Sequence, residues 1–264
     1  MLQQLLNKTF NKDCLGTEGL ALVPAKSVDM ILCDLPYGTT QCKWDSVIDL
    51  PRLWEQYERI IKDNGAIVLT AQTPFTEVLG ASNLKLLRYK WIWEKTEATG
   101  HLNAKKMPMK AHEDILVFYK NLPTYNPIKT TGHERKTATR RHAEHKNNLY
   151  GALDKGVSSY DSTERYPRSV LVFPKDKQKS KLHPTQKPVP LFEYLIRTYT
   201  NAGDVVLDNS AGSGTTAIAC LNANRNYILW EWNDQGNAYY SPMVQRIEKH
   251  REMLISEPCG GLNR

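Results

Sequence analysis

The sequence predicts a doubly wound α/β fold, with a mostly parallel sheet and a basic segment inserted into it. Three observations carry that prediction. Short apolar runs alternate with amphipathic stretches at both ends of the chain, a pattern that places helices on both faces of a parallel sheet. The alternation lapses in the middle, where Thr, Asn, His, Lys and Arg accumulate. The chain has 264 residues, 41% of them apolar, enough for one large core without disulfides or metals.

Each element has a local reason. "VDMILCD" (28–34) reads as a buried strand, and "DLPRLWEQYERIIKDNG" (49–65) as a helix. Leu53, Tyr57, Ile60 and Ile61 share a face of that helix, and Gly65 is its expected C-terminal stop. "AIVLTAQ" (66–72) is a second buried strand, and a short helix begins at "TPF", with Pro74 suited to its first turn. "LRYKWIWEK" (87–95) and "DILVFYK" (114–120) are further strands. After residue 182 the alternation resumes: "PVPLFEYLIRTYT" as helix, "DVVLDN" (204–209) as strand, "GTTAIACLNAN" as helix and "NYILWEW" (226–232) as strand.

Charge and cysteine usage narrow the function classes. The net charge of +7 suits a polyanionic partner. Residues 129–148 hold six Lys or Arg and three His, and "PKDKQKSK" (174–181) adds a second basic cluster. Lys129, Arg135, Lys136, Arg140, Arg141, Lys175, Lys177 and Lys179 are the candidate phosphate contacts, against the alternative of a solvated surface. The five cysteines are odd in number and show no CxxC spacing, which points to reduced thiols in a cytoplasmic protein and to no zinc site. No apolar run reaches membrane-spanning length, and the N-terminus lacks a signal-peptide pattern.

Two stretches carry chemistry. In "DLPYG" an apolar strand ends in Asp34, steps through Leu35 and Pro36, presents Tyr37 and turns at Gly38. Taken singly, these residues read equally well as a cap, a loop proline and a core ring. In "VVLDNSAGSGTTAIA" a strand ends at Asp208, Gly212 and Gly214 permit a tight turn, and a helix follows with free N–H groups at its start. The next strand ends in Glu231, 19 residues beyond Gly212, placed to accept ribose hydroxyls. A third fingerprint glycine is missing, because Thr215, Thr216 and Ala217 follow Gly214. The P-loop pattern is also absent, which leaves a nucleoside without phosphates, S-adenosylmethionine being the obvious member of that class.

Together the two stretches resemble the amino-group DNA methyltransferases, which methylate adenine N6 or cytosine N4. Asp34, Pro36 and Tyr37 match the family's catalytic signature, and Leu35 departs from it at a position that carries no reacting group. Asp208, Gly212, Ser213, Gly214, Thr215 and Thr216 match its glycine-rich signature, whereas Asn209 and Ser210 replace Pro and Phe. "HPTQKP" (183–188) looks like the segment that lines the methionine end of the cofactor, through Thr185 and Lys187. Asp13 and Cys14 resemble the early segment that touches the cofactor adenine; Trp232, which flanks Glu231, is a candidate either to pack or to cover that adenine. Ser210 and Asp34 are carried over to the cofactor site with them.

Motif order, catalytic segment first and cofactor segment last, resembles the β subgroup. Protein glutamine methyltransferases share an NPPY-type loop but have the opposite order. The resemblance covers roughly residues 10–95 and 182–250. It implies a seven-stranded-type methyltransferase sheet with residues 1–95 as the catalytic half, 96–181 as a target-recognition insertion and 182–264 as the cofactor half. It further implies an adenine-N6 DNA methyltransferase acting on a base turned out of double-stranded DNA, without a metal. Cytosine N4, RNA, and a non-catalytic nucleic-acid binder are the alternatives. A homodimer and a cognate restriction enzyme are compatible with the resemblance alone.

Overall fold

In the computed structural model, residues 2–38, 45–142, 145–147, 151–153, 156–176, 186–232 and 239–256 are described. An eight-stranded sheet organises the main unit, which comprises residues 1–126 and 169–264. Its strands are β1 (Lys8–Phe10), β2 (Val28–Cys33), β3 (Ile61–Ala71), β4 (Leu87–Thr99), β5 (Lys110–Phe118), β10 (Val170–Phe173), β11 (Val205–Asp208) and β12 (Asn226–Trp230). Four short strands complete the count in a second unit: β6 (Lys136–His142), β7 (His145–Asn147), β8 (Gly151–Leu153) and β9 (Gly156–Ser162). The helices are α1 (Leu50–Ile60), α2 (Phe75–Ser82), α3 (Val189–Tyr199), α4 (Thr215–Asn222) and α5 (Tyr240–Ser256).

The sheet order is β1-β12-β11-β2-β3-β5-β4-β10. All pairings are parallel except those of β5, which runs antiparallel to both β3 and β4. The eighth strand, beyond the seven-stranded type, is β10, which pairs with β4 at the edge. Central strands are buried on both faces, so they read as apolar runs, and successive side chains feed opposite cores. Ile31 and Cys33 of β2 join the cluster under α1 and α2. Met30 and Leu32 join the cluster under α3, α4 and α5. Helices therefore cover both faces, as the alternation predicts.

The chain order reverses between β11 and β2, since β11 leads through α4 outward to β12 while β2 leads through α1 the other way. Ligands in open α/β sheets bind at the carboxyl ends of strands flanking such a reversal. Asp34, Thr70, Asp208 and Glu231 all lie at or just past strand carboxyl ends there.

One sequence expectation needs correction. The helix predicted over 49–65 ends at Ile60, because Ile61 turns extended (φ −68°, ψ 140°) and pairs with Val28. Gly65 lies inside β3, where a Cβ would stand 2.8 Å from the Asp29 carbonyl oxygen; close approach, not helix termination, calls for glycine there. A separate compact unit lies inside the 96–181 segment expected as an insertion. It spans Pro127–Arg168, whereas residues 96–126 and 169–176 belong to the main sheet and its loops.

The small unit is built on the antiparallel β6–β9 ribbon. Within it Arg135 forms two bonds of 2.7 and 2.6 Å to the Asp161 carboxylate, and Lys129 pairs with Glu164 at 2.9 Å. Lys136, Arg140 and Arg141 of β6 are exposed. On the main unit, Lys175 sits 3.9 Å from Glu97. Lys177 and Lys179 lie outside the described residues.

Candidate active site

Asp34 follows the last residue of β2, and its carboxylate is tied from three sides. One oxygen accepts from the Tyr37 hydroxyl at 2.8 Å and the Thr70 hydroxyl at 2.5 Å; the other accepts from the Lys187 ammonium at 2.6 Å. A carboxylate has about four acceptor directions, so three are accounted for. The Asp34 side chain keeps 22% of its surface exposed, enough for a further donor to reach it. The loop is held by what surrounds it. Leu35 is buried in the core at 2% exposure, so the residue that departs from the family signature anchors the loop through its side chain. Pro36 fixes the local backbone. Gly38 takes φ 67°, and its N–H donates to Asp45 at 2.8 Å. Tyr37 stacks one ring face on Phe75, with centroids 5.3 Å apart. Burial and the Asp34 charge push its phenol well above the ordinary value, which keeps it a hydrogen-bond donor.

Behind Asp34 lies a buried ion network of Lys187, which the sequence reading set at the methionine end of the cofactor, with Glu113 and Lys95, which it did not single out. Lys187, 7% exposed, reaches Glu113 at 3.3 Å as well as Asp34, and Lys95 reaches the other Glu113 oxygen at 2.6 Å. Among the described residues no hydrogen bond satisfies the Glu113 oxygen that faces Lys187, so the contact between them is electrostatic. Burial alone would depress the Lys187 ammonium, yet the charges of Asp34 and Glu113 hold it well above its ordinary value. Burial likewise opposes ionisation of Glu113, and Lys187 with Lys95 overcomes it and lowers that carboxyl. Lys187 therefore stands against the Asp34 carboxylate. Its backbone carbonyl accepts from Thr215 at 3.2 Å, which links the segment to α4.

Across the reversal, residues 208–214 form the second wall. Gly212 (φ 53°) and Gly214 (φ 78°) take conformations that glycine tolerates best. A Cβ on Gly214 would also meet Met243 of α5 at 2.8 Å. Glu231, just past β12, accepts from the Gly212 N–H at 2.7 Å. Burial raises its carboxyl to about 7, against the lowering effect of that N–H. Asp208 is buried, accepting from the Ser210 N–H at 3.0 Å and the Thr216 hydroxyl at 2.5 Å; burial raises it to about 6. Asp208, Thr215 and Thr216 thus hold the turn together from within, while Gly212 and Glu231 line it.

The departures at 209 and 210 have distinct consequences. Asn209 joins Cys14 (3.4 Å), Cys33 (3.1 Å) and the Tyr57 hydroxyl in one buried polar cluster, so it ties the glycine turn to β2 and to the Asp13–Cys14 segment. Ser210 is half-buried and bonds only through its N–H to Asp208 among the contacts seen. Cys14 is buried, and burial raises its thiol to about 11, which suits packing and not nucleophilic attack. Asp13 caps its own turn by accepting from the Leu15 N–H at 2.9 Å. Trp232 is 53% exposed at the end of its segment, and Thr185 lies outside the described residues.

A carboxylate fixed beside a glycine turn, with an acidic strand end, matches what an amine-activating, nucleoside-binding site requires. The sequence profile of the DNA methylases that modify N6 or N4 amino groups matches residues 28–239, about four-fifths of the chain. The chain belongs to this DNA methylase family. It is 27% identical over 245 residues to the type II methyltransferase M.HpaI of Haemophilus parainfluenzae, covering 88% of this chain and 69% of that protein. It is also 27% identical over 237 residues to the DNA adenine methyltransferase YhdJ of Escherichia coli strain K12, covering 82% and 76% of the two chains. Among solved structures, the M1.HpyAVI–SAM complex shares the fold with a TM-score of 0.59 at 22% identity, covering 90% of this chain and 98% of that one.

Proposed function

We propose that this DNA methylase transfers a methyl group from S-adenosylmethionine to the N6 amino group of an adenine turned out of duplex DNA. The observation that carries the reading is Asp34, fixed by Tyr37, Thr70 and Lys187 at the end of β2. The Gly212–Glu231 wall lies across the sheet reversal from it. S-adenosylmethionine, when bound, supplies a methyl group on a sulfonium that a nitrogen lone pair can attack directly. The residues present fit that cofactor. The positive-φ glycines keep the turn free of side chains, and Glu231 offers a buried acceptor suited to ribose hydroxyls.

An exocyclic amine is a poor nucleophile because its lone pair is delocalised into the ring. Asp34 accepts one amino proton and the Leu35 or Pro36 carbonyl the other, which favours a pyramidal nitrogen with a localised lone pair. The N–C bond would form as the methyl–sulfur bond breaks, its electron pair staying on sulfur as a neutral thioether; the nitrogen then carries the positive charge, is strongly acidic, and passes its proton to the Asp34 carboxylate. A weak base is sufficient for that step, so the neighbouring Lys187 charge is compatible with it. Tyr37, anchored by its hydroxyl, gives the extruded base a fixed ring to lie against.

The test is expression in a methylation-free host, followed by mapping of modified bases at single-nucleotide resolution. N6-methyladenine within one short recurring sequence is the expected result. N4-methylcytosine would move the assignment to the cytosine branch, and unmodified DNA would refute it. Glu231 gives an independent check. With a carboxyl near pH 7, cofactor affinity should fall as pH drops from 8 to 6, by about tenfold at most, as the ionised acceptor is lost. In Glu231→Gln the affinity should be weak and flat with pH, as read by calorimetry; a profile that keeps the wild-type slope would remove Glu231 from the site.

A further inference from the structure

The β4–β5 connection carries an exposed apolar cluster that the catalytic site does not use. Between Gly100 and Met109, Leu102 is 87% exposed, Met107 53% and Met109 41%. Solvated turns are normally polar, and an apolar cluster left in water at a site's edge marks a contact surface. The same stretch is cationic, with Lys105, Lys106 and Lys110 and no acidic residue from 98 to 112.

The turn is also built. The Asn103 carbonyl accepts from the N–H groups of Lys106 (2.8 Å) and Met107 (3.0 Å), and the Asn103 N–H donates to Gly100 at 2.9 Å. Gly100 takes φ 88°, with no atom within 4 Å of where a Cβ would stand. Its roots are the strands that carry the ion network. Lys95 lies in β4 and Glu113 in β5, and Lys110 donates to Gln72, two residues past Thr70, at 2.8 Å. Because β5 runs antiparallel, its first residues rise from the same sheet edge as Asp34.

We propose that the Gly100–Met109 turn is a wedge that enters the DNA duplex beside the target base. Leu102 and Met107 fill the space the extruded base leaves, and Lys105 and Lys106 hold the flanking phosphates. Apolar side chains placed between base steps stabilise a locally unstacked duplex, and lysines beside them match its charge. The inference rests on the site being that of a base-extruding DNA methyltransferase.

The test compares wild type with Leu102→Ala/Met107→Ala on two synthetic duplexes bearing the mapped site, one fully paired and one mismatched at the target base. Both positions are exposed, and circular dichroism checks that the variant folds. Extrusion is easier from a mismatch, so the variant should lose about 10- to 100-fold in rate on the paired duplex and stay within about threefold of wild type on the mismatched one. Lys105→Ala/Lys106→Ala should instead lower the salt slope of binding by about 2 on both duplexes, and an unchanged slope would overturn the phosphate contacts. An equal loss on both duplexes, or none, overturns the wedge. An equal loss accompanied by a dimer-to-monomer change in sedimentation assigns the turn to a second copy of the chain. If wild type methylates neither duplex, the methyltransferase reading falls first and the wedge with it.

Discussion

Replacing Asp34 by alanine is expected to lower single-turnover methyl transfer by about 10³-fold, within the range of a positioned acid–base group. Cofactor affinity, read by calorimetry, should stay within about threefold, because Glu231 and Gly212 stand apart from the Asp34 contacts. The size follows from three losses at one position. The charge-assisted acceptor for the amino proton disappears, worth about 1.5–3 kcal/mol by itself. The acceptor for the departing proton goes with it, and Tyr37 and Thr70 lose the oxygen that both hydroxyls share. Asp34→Asn separates these effects. It keeps an oxygen for Tyr37 and Thr70 but no charge, so a smaller loss, about 10²-fold, is expected from it. A rate in Asp34→Ala within threefold of wild type would show that the amine is activated elsewhere.

Why Asp34 and Tyr37 were legible and the ion network behind them was not is a matter of range. "DLPYG" concentrates strand end, acid, proline and ring in five adjacent residues, and "DNSAGSGTT" does the same for the cofactor turn. Both lie at strand carboxyl ends, where local sequence dictates local geometry. The parallel core was legible for the same reason, since β2, β11 and β12 are buried on both faces and read as apolar runs.

Glu113 and Lys95 sit in "KAHEDILVF" and "WIWEKTEAT", where a charge reads as one more solvated strand position. Only the register, which sets Trp93 opposite Glu113, brings Lys95 and Glu113 together at the site. Lys187 points to Asp34 across 153 residues of chain, so nothing local to either announces the pair. Gly65 misled for the opposite reason. A glycine after an amphipathic run is a good helix stop in isolation, but the Asp29 carbonyl of the neighbouring strand decides its place.

Lys187→Met should have the largest effect on stability. The substitution keeps an unbranched apolar stem and removes the one cation among the described residues that faces both Asp34 and Glu113. Leaving buried carboxylates without their partner costs about 3–5 kcal/mol, which lowers the melting temperature by about 6–15 °C in a protein of this size. The gap should depend on pH in a defined way. Glu113 is lowered on folding, so its pairing contributes fully above the unfolded carboxyl range and is lost as pH falls through the folded value. Lys187 is raised, so its contribution is complete below the unfolded lysine range and is lost only as pH climbs past the folded value. The difference between wild type and variant should therefore be flat from about pH 5 to about pH 10 and shrink on the acid side. Lys187→Arg keeps the charge and should recover most of the stability. If Lys187 also sets the Asp34 carboxylate, kcat should fall about 10- to 100-fold in Lys187→Met while KM for the cofactor holds, with partial recovery in Lys187→Arg. A purely structural lysine would lower the melting temperature and leave kcat of the folded fraction unchanged, so the two readouts together decide whether the network only holds the fold or also aims the base.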